Sequence, residues 1–282
     1  MRADFHVHSK ASDGDYLIDE LVLRAKENNL QYFALTDHNK YSLMDIDVNQ
    51  LDCMGVKIIP SVEFDVERDV ENGTKMHILG LNIDVNNAKL HKYFDKYHHK
   101  NRKKVDKCYK KLHKIYGLKV SDSSLERTSK LSYWGILGKF AYKLREQGLT
   151  QKSHYDAVEE IAYCLKKRDS NFHNEKEIIK LILQAGGVPV LAHPCSLKLS
   201  DGDLDEKVAY LVSLGLKGIE IYHPNIKKEQ TKYYQLLADK YKLYTSGGSD
   251  FHRYNEREDV FVSDKGKNKV TIFEAIKDIK SL

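Results

Sequence analysis

Short strand-like runs alternate with amphipathic helical stretches toward both ends of this chain, and a block of purely helical periodicity separates the two regions. Arg2–Val7 alternates in strand fashion. Asp19–Asn28 places Leu21, Val22 and Ala25 at helical spacing, and Gln31–Leu35 is a short apolar strand running into Thr36-Asp37-His38. Lys57–Phe64 is rich in β-formers, and Met76–Ile83 follows the turn Glu71-Asn72-Gly73. The pattern returns with strands at Gly187–Ala192, Gly218–Tyr222 and Leu243–Ser246 and helices at Asp203–Leu214 and Lys227–Tyr241. Such alternation predicts parallel βα units. From about Ala88 to Leu183 only helical periodicity is present, broken near Gly117–Ser124 and Gly148. The expected organisation is one α/β body, residues 1–87 and 181–282, and a helical insertion, 88–180, packed over one end of it. At 282 residues the chain can bury roughly three quarters of its unfolded surface.

Composition narrows the class. With 41% hydrophobic and 31% charged residues, the chain is neither disordered nor membrane-embedded, and no apolar run reaches the ~18 residues of a membrane span. The start, MRADFHVHSK, has no signal-peptide apolar core. Cys53, Cys108, Cys164 and Cys195 lie far apart with no CxxC pair, which predicts no disulfide framework and fits a reducing cytoplasm. Net charge is +5, but residues 89–119 hold twelve basic against two acidic side chains, +10, so the remainder sums to −5. A basic segment on a slightly acidic body attracts phosphorylated or nucleic-acid ligands, or is simply a solvated helix face.

Histidines and carboxylates cluster at the predicted strand ends. His6 and His8 lie two apart on the first strand, so both rings point to one face. Asp250 and His252 repeat that spacing. His38 ends the second strand, His77 opens the fourth, and His193 follows Val190-Leu191-Ala192; Asp13 and Glu63 hold comparable places. Any one of these is as readily a satisfied surface or core residue. Nine of them at the strand ends where α/β sheets place functional groups point to a metal centre. Imidazole with carboxylate suits Zn²⁺, Mn²⁺ or Fe²⁺, and nine donors exceed the needs of one four-coordinate ion, so two or three divalent ions are expected.

His6-Val7-His8, Thr36-Asp37-His38, Leu191-Ala192-His193-Pro194 and Gly248-Ser249-Asp250-Phe251-His252 resemble the four motifs of the PHP (polymerase and histidinol phosphatase) superfamily. The resemblance implies a distorted seven-stranded βα barrel with a trinuclear centre. It implies one ion held by His6, His8, Glu63 and Asp250. A second would be held by Asp13, His38 and His252, and a third by bridging Glu63 with His77 and His193. Asp13 stands where some relatives have histidine, and its hard oxygen favours Mn²⁺ or Fe²⁺. The run His8-Ser9 to Ser12-Asp13-Gly14, Ala185-Gly186-Gly187 before His193, and Gly218–Pro224 resemble the stand-alone phosphoesterases acting on nucleotides and short oligonucleotides. That group carries an Arg-Pro-His stretch in the insertion. The corresponding Leu131–Leu144 has no arginine, leaving Lys139, Lys143 or Arg145 to meet a phosphate, and lysine is a point charge rather than a bidentate fork.

The implied activity is hydrolysis of phosphomonoesters of nucleotide type, with metal ions lowering the pKa of a water and neutralising phosphoryl charge. Asp37 is a candidate to orient an imidazole, or an N-cap for the following turn. His223 is a candidate to protonate the leaving oxygen, or a structural turn residue before Pro224. Tyr133 and Trp134 are candidates for base stacking. The expected ligand is a small phosphorylated molecule, with no membrane and no obligatory protein partner. Histidinol-phosphate phosphatase is the enzymatic alternative, from which the Gly247–His252 run and the long insertion lean away. A non-catalytic nucleic-acid-binding PHP protein is the other alternative, and the nine intact ligand types disfavour it.

Overall fold

In the computed structural model, which describes residues 1–40, 42, 55–69, 74–129, 133–164, 174–253 and 260–276, the apolar runs form one eight-stranded sheet. Its strands are β1 (Arg2–Val7), β2 (Tyr32–Leu35), β3 (Lys57–Asp69), β4 (Thr74–Leu81), β5 (Val188–Leu191), β6 (Gly218–Tyr222), β7 (Tyr244–Gly247) and β8 (Val262–Ser263). Their order is β7-β6-β5-β4-β3-β2-β1-β8. The sheet curls into a nearly closed barrel. β8 pairs with the first half of β1, and past it Val7 meets Phe251, with the His8 amide donating to the Phe251 carbonyl at 2.9 Å.

The expected distorted α/β barrel is present, and two features refine the seven strands and parallel βα units read from the sequence. β8 is an additional two-residue strand, antiparallel to β1. β4 runs antiparallel to both β3 and β5, whereas β1–β2–β3 and β5–β6–β7 are parallel. The physical reason is connection length. Residues 70–73 are all that join β3 to β4, and a parallel crossover needs a dozen or more. The predicted turn Glu71–Gly73 itself lies outside the described residues.

The helices are α1 (Ile18–Glu27), α2 (Ala88–Tyr116), α3 (Asp122–Ser129), α4 (Tyr133–Glu146), α5 (His154–Cys164), α6 (Glu175–Gln184), α7 (Asp201–Ser213), α8 (Lys228–Tyr241) and the short α9 (Ile272–Ala275). The chain divides into two compact units, Met1–Leu90 with Phe172–Leu282, and His91–Asn171. The second unit lies inside the block expected at 88–180, and α6 belongs with the sheet. Asn174 caps α6 by accepting from the amides of Lys176 and Glu177, and the helix buries Ile178, Ile179, Leu181 and Ile182. Gly80 on β4 admits this packing, because a Cβ there would sit 3.0 Å from Ile182 Cγ1.

The second unit has its own apolar core, including Leu112, Leu118, Leu137, Phe140 and Ile161. Its basic helix is not uniformly available to a ligand. Arg102 on α2 is held by Asp106 at 2.9 Å, Asp122 at 2.6 Å and Glu126 at 2.8 Å, which ties α2 to α3. Among the described residues no helix is long and apolar enough to cross a membrane.

Candidate metal centre

Strand geometry delivers the polar side chains to one end of the barrel. β1, β3 and β6 each carry a register shift near that end, between Asp4 and Val7, Asp65 and Glu67, and Glu220 and Tyr222. Bulges of this kind re-aim side chains, and they recur beside active sites. Phe5 of β1 packs into the apolar core, while the rings of His6 and of His8, just past the strand, reach the polar cluster, 5.2 Å apart. His77 lies early in β4, and because that strand is reversed its early residues sit beside the later ones of β3: His77 stands directly opposite Asp65. His193 and Asp250 have φ of +26° and +50°, in the left-handed region that few side chains adopt.

All nine expected metal ligands meet here. Glu63 is central. Its Oε2 lies 3.3 Å from His6 Nε2, 3.2 Å from His8 Nε2 and 3.3 Å from His38 Nε2. Its Oε1 lies 2.8 Å from His77 Nδ1 and 3.0 Å from His193 Nε2. Asp250 Oδ1 is 3.4 Å from His6 Nε2 and 3.2 Å from His8 Nε2. Asp13 reaches His38 at 3.6 Å, His252 at 3.4 Å and His8 at 3.7 Å. Among the described residues, donor atoms mutually within 4.8 Å form four sets: His6, His8, Glu63, Asp250; His8, Asp13, His38, His252; Glu63, His77, His193; and His38, Asp65, His77.

The charge distribution is concentrated and complementary. Burial pushes the Glu63 carboxyl up, but His38, His77 and His6 outweigh it and hold it well below the usual range. Burial likewise opposes ionisation of Asp250, and His6 and His252 override it. Burial disfavours protonated His6 and His38, yet the surrounding carboxylates, Glu63 first, raise both well above the ordinary imidazole value. At His77 burial prevails over Glu63 and the value falls.

The donor set fits divalent metal ions. His6 Nε2, His8 Nε2 and Glu63 Oε2 are fully buried and make no hydrogen bond, an arrangement costing about 1–3 kcal/mol per group if nothing satisfied it. The two nitrogens lie 3.3 and 3.2 Å from that oxygen, close to the roughly 3.3–3.4 Å between neighbouring donors around an ion bound at ~2.0–2.1 Å. Cysteine takes no part, so the site is of the imidazole–carboxylate type.

Supporting residues come from distant parts of the chain. Glu220, between Ile219 and Ile221 on β6, places Oε1 3.2 Å from His6 Nδ1 and accepts from the His193 amide through Oε2 at 2.7 Å. Buried Asp4 accepts from the amides of His6 at 3.1 Å and Ser249 at 2.9 Å and from the Ser249 hydroxyl at 2.5 Å. Burial pushes the Asp4 carboxyl up to about 6 against those hydrogen bonds. Ser196 Oγ is 2.9 Å from His193 Nδ1. Sequence reasoning missed Glu220, Asp4 and Asp65. The available signal was a carboxylate inside an apolar strand, which folding tolerates only when it is partnered.

Two expectations shift. Asp37 does not orient an imidazole. It accepts from the Ser9 amide at 2.8 Å, the Ser9 hydroxyl at 2.7 Å and the Ser12 hydroxyl at 2.5 Å, so it grips the loop that carries Asp13. His223 is buried, and its Nδ1 accepts from the Asn225 amide at 3.0 Å. The ring proton therefore sits on Nε2, 3.3 Å from Asp250 Oδ2. Lys139 and Arg145 are exposed on α4 in the second unit. The side chains of Tyr133 and Trp134 lie outside the described residues.

A PHP domain family model matches residues 4–175 of the chain. A phosphoribosyl 1,2-cyclic phosphate 1,2-diphosphodiesterase of Eggerthella lenta is 25% identical over 264 residues, covering 89% of this chain and 94% of the relative. A 3′,5′-nucleoside bisphosphate phosphatase of Chromobacterium violaceum is 24% identical over 277 residues, covering 90% and 88%. The solved structure of a metal-dependent phosphoesterase from Bifidobacterium adolescentis superposes with a TM-score of 0.73 at 21% identity, covering 99% of this chain and 95% of that one.

Proposed function

The chain belongs to the PHP domain family, and from that premise we propose that it is a metal-dependent phosphoesterase acting on phosphomonoesters of nucleotide type: a nucleoside monophosphate, a bisphosphate or a short oligonucleotide. One observation carries the reading: the two oxygens of buried Glu63 face five imidazoles at 2.8–3.3 Å, Oε2 toward three and Oε1 toward two. A carboxylate so placed would serve ions on both of its oxygens. In this reading His6, His8, Glu63 and Asp250 hold one, Asp13, His38 and His252 a second, and Glu63, His77 and His193 a third. The hard oxygen of Asp13 favours Mn²⁺ or Fe²⁺. When bound, such ions supply Lewis acidity toward phosphoryl oxygens and activate water.

The protein's own groups orient this centre. Glu220 holds His6 and the backbone at His193, Asp4 holds the Ser249–Asp250 corner, and Asp37 holds the Ser9–Asp13 loop. His223 keeps its proton at Nε2 facing Asp250. It is therefore a positioning residue for that carboxylate in the resting site, and serves the leaving oxygen only if substrate displaces this contact. The dispersed cysteines support a cytoplasmic setting. Histidinol phosphate is not favoured, since the two curated relatives named above act on a phosphoribosyl cyclic phosphate and a nucleoside bisphosphate.

The test is a panel of AMP, a 3′,5′-bisphosphate, a 5′-phosphorylated trinucleotide and histidinol phosphate, assayed with Mn²⁺, Fe²⁺ and Zn²⁺ and paired with elemental analysis. Turnover of the nucleotide substrates with two to three ions per chain is expected. Less than about one ion per chain after metal-replete expression, or no turnover of any nucleotide, overturns the reading.

A further inference from the structure

Asp65 forms a donor set with His38 and His77 but holds none of the three ions assigned above, and strand geometry aims it at the centre. Glu63 and Asp65 are two apart on β3 and share a face, and His77 stands directly across from Asp65 in the register. The bulge after Asp65 marks this point as the place where the strand is re-aimed. Asp65 Oδ1 lies 2.9 Å from His38 Nδ1 and 3.4 Å from His77 Nε2, ion-pair distances at which His38 Nδ1, fully buried, completes no hydrogen bond with any group. In each ring the other nitrogen faces Glu63: His38 Nε2 at 3.3 Å and His77 Nδ1 at 2.8 Å. Asn39, at φ +48°, braces the carboxylate from behind. Its Nδ2 donates to Asp65 Oδ2 at 2.8 Å, and its Oδ1 accepts from the Asp65 amide at 3.1 Å. Asn39 is itself anchored, its amide donating to the Glu63 carbonyl at 2.8 Å.

We propose that Asp65 is a positioning residue shared by two metal-binding imidazoles, one oxygen fixing the ring orientation and tautomer of both His38 and His77. The proposal rests on the reading of those histidines as ligands of two different ions. A neutral imidazole that offers one nitrogen to a metal carries its proton on the other and needs an acceptor for it. One oxygen serving two rings couples the two sites, so that disturbing it weakens both at once.

The substitution Asp65→Asn is nearly isosteric and tests this. Its amide must turn an NH₂ either toward Asn39 Nδ2 or toward the two ring N–H groups, so a donor faces a donor in either pose. The measurements are Mn²⁺ titration followed by the electron paramagnetic resonance of the free ion, and long-range ¹H–¹⁵N NMR of the Zn²⁺-loaded rings. Expected are an unchanged number of ions at saturation, binding weakened about 10–100-fold, and loss of the defined tautomer signals at His38 and His77. Asn39→Ala, which touches neither ring, should shift binding the same way by less, and it keeps the test open if Asp65→Asn does not fold. Affinity within twofold of wild type with intact tautomer signals overturns the proposal. A drop of one ion at saturation also overturns it, because Asp65 would then be a ligand. Absence of ions from the wild-type protein removes the phosphoesterase reading and this proposal with it, whereas failure confined to the variants removes the proposal alone.

Discussion

Glu63 concentrates what a single residue can do here. It is fully buried, it carries charge at neutral pH because His38, His77 and His6 outweigh its burial, and each oxygen faces a different group of imidazoles. Glu63→Gln should therefore abolish turnover and lower metal content together, because an amide brings an NH₂ to atoms that must accept or ligate. His8→Ala and Asp250→Ala should each exceed the ~10–100-fold loss typical of an outer-sphere change while leaving the far-ultraviolet circular dichroism near wild type. Wild-type-like kinetics with full metal content in any of the three would refute the assigned centre. Asp37 teaches the complementary lesson. It adjoins His38 in the sequence, yet its oxygens serve Ser9 and Ser12, so adjacency did not predict its partner.

At the scale of elements, the barrel closes where the chain beyond β7 returns to β1, and this closure assembles the site. Gly248 passes so near β1 that a Cβ would lie 2.5 Å from His6 Cβ and 2.6 Å from His6 N. Backbone cannot yield there without moving both the His6–His8 strand and the Ser249–His252 run. Gly248→Ala should destabilise by about 1–3 kcal/mol, the usual range for overpacking, and should reduce metal retention. Gly202, in the first turn of α7, is the control, since a Cβ added there would meet nothing within 4 Å. Gly202→Ala should be neutral or stabilise slightly, by up to ~1 kcal/mol from helix propensity. Urea unfolding with elemental analysis checks both; equal stability and metal content in the two variants would mean that the seam does not hold the centre together.

At the scale of the whole molecule, charge and chemistry occupy different units. The donor cluster lies entirely in Met1–Leu90 and Phe172–Leu282, and most of the +10 segment lies in His91–Asn171. Arg102 is engaged by three carboxylates, whereas Lys139 and Arg145 on α4 are exposed and are the pair tested for a substrate role. A point-charge contact binds substrate and transition state alike, so the Lys139→Ala, Arg145→Ala double variant should raise KM several-fold with kcat nearly unchanged. The effect should shrink at high salt and be larger for a trinucleotide than for AMP. An unchanged KM for both substrates would make α4 a solvated face.

Much of this was legible in the chain before folding, for a local reason. The i, i+2 spacing of His6 with His8 reports the geometry of the first strand and its end, so the ligand types and their meeting at one end of an α/β sheet could be read residue by residue, although Asp250 and His252 reach the site from the turn past β7 and not from a strand. The helical block and its breaks followed from periodicity in the same way. Other features were not legible, because they depend on which distant segments become neighbours. Glu220 acquires its meaning from His6, 214 positions away, and Asp4 from Ser249, 245 positions away. Neither separation leaves a periodic trace. The reversal of β4, a consequence of its four-residue connection to β3, is what sets His77 opposite Asp65. A pattern of apolar residues states which face is buried, but only the pairing of strands states what that face meets.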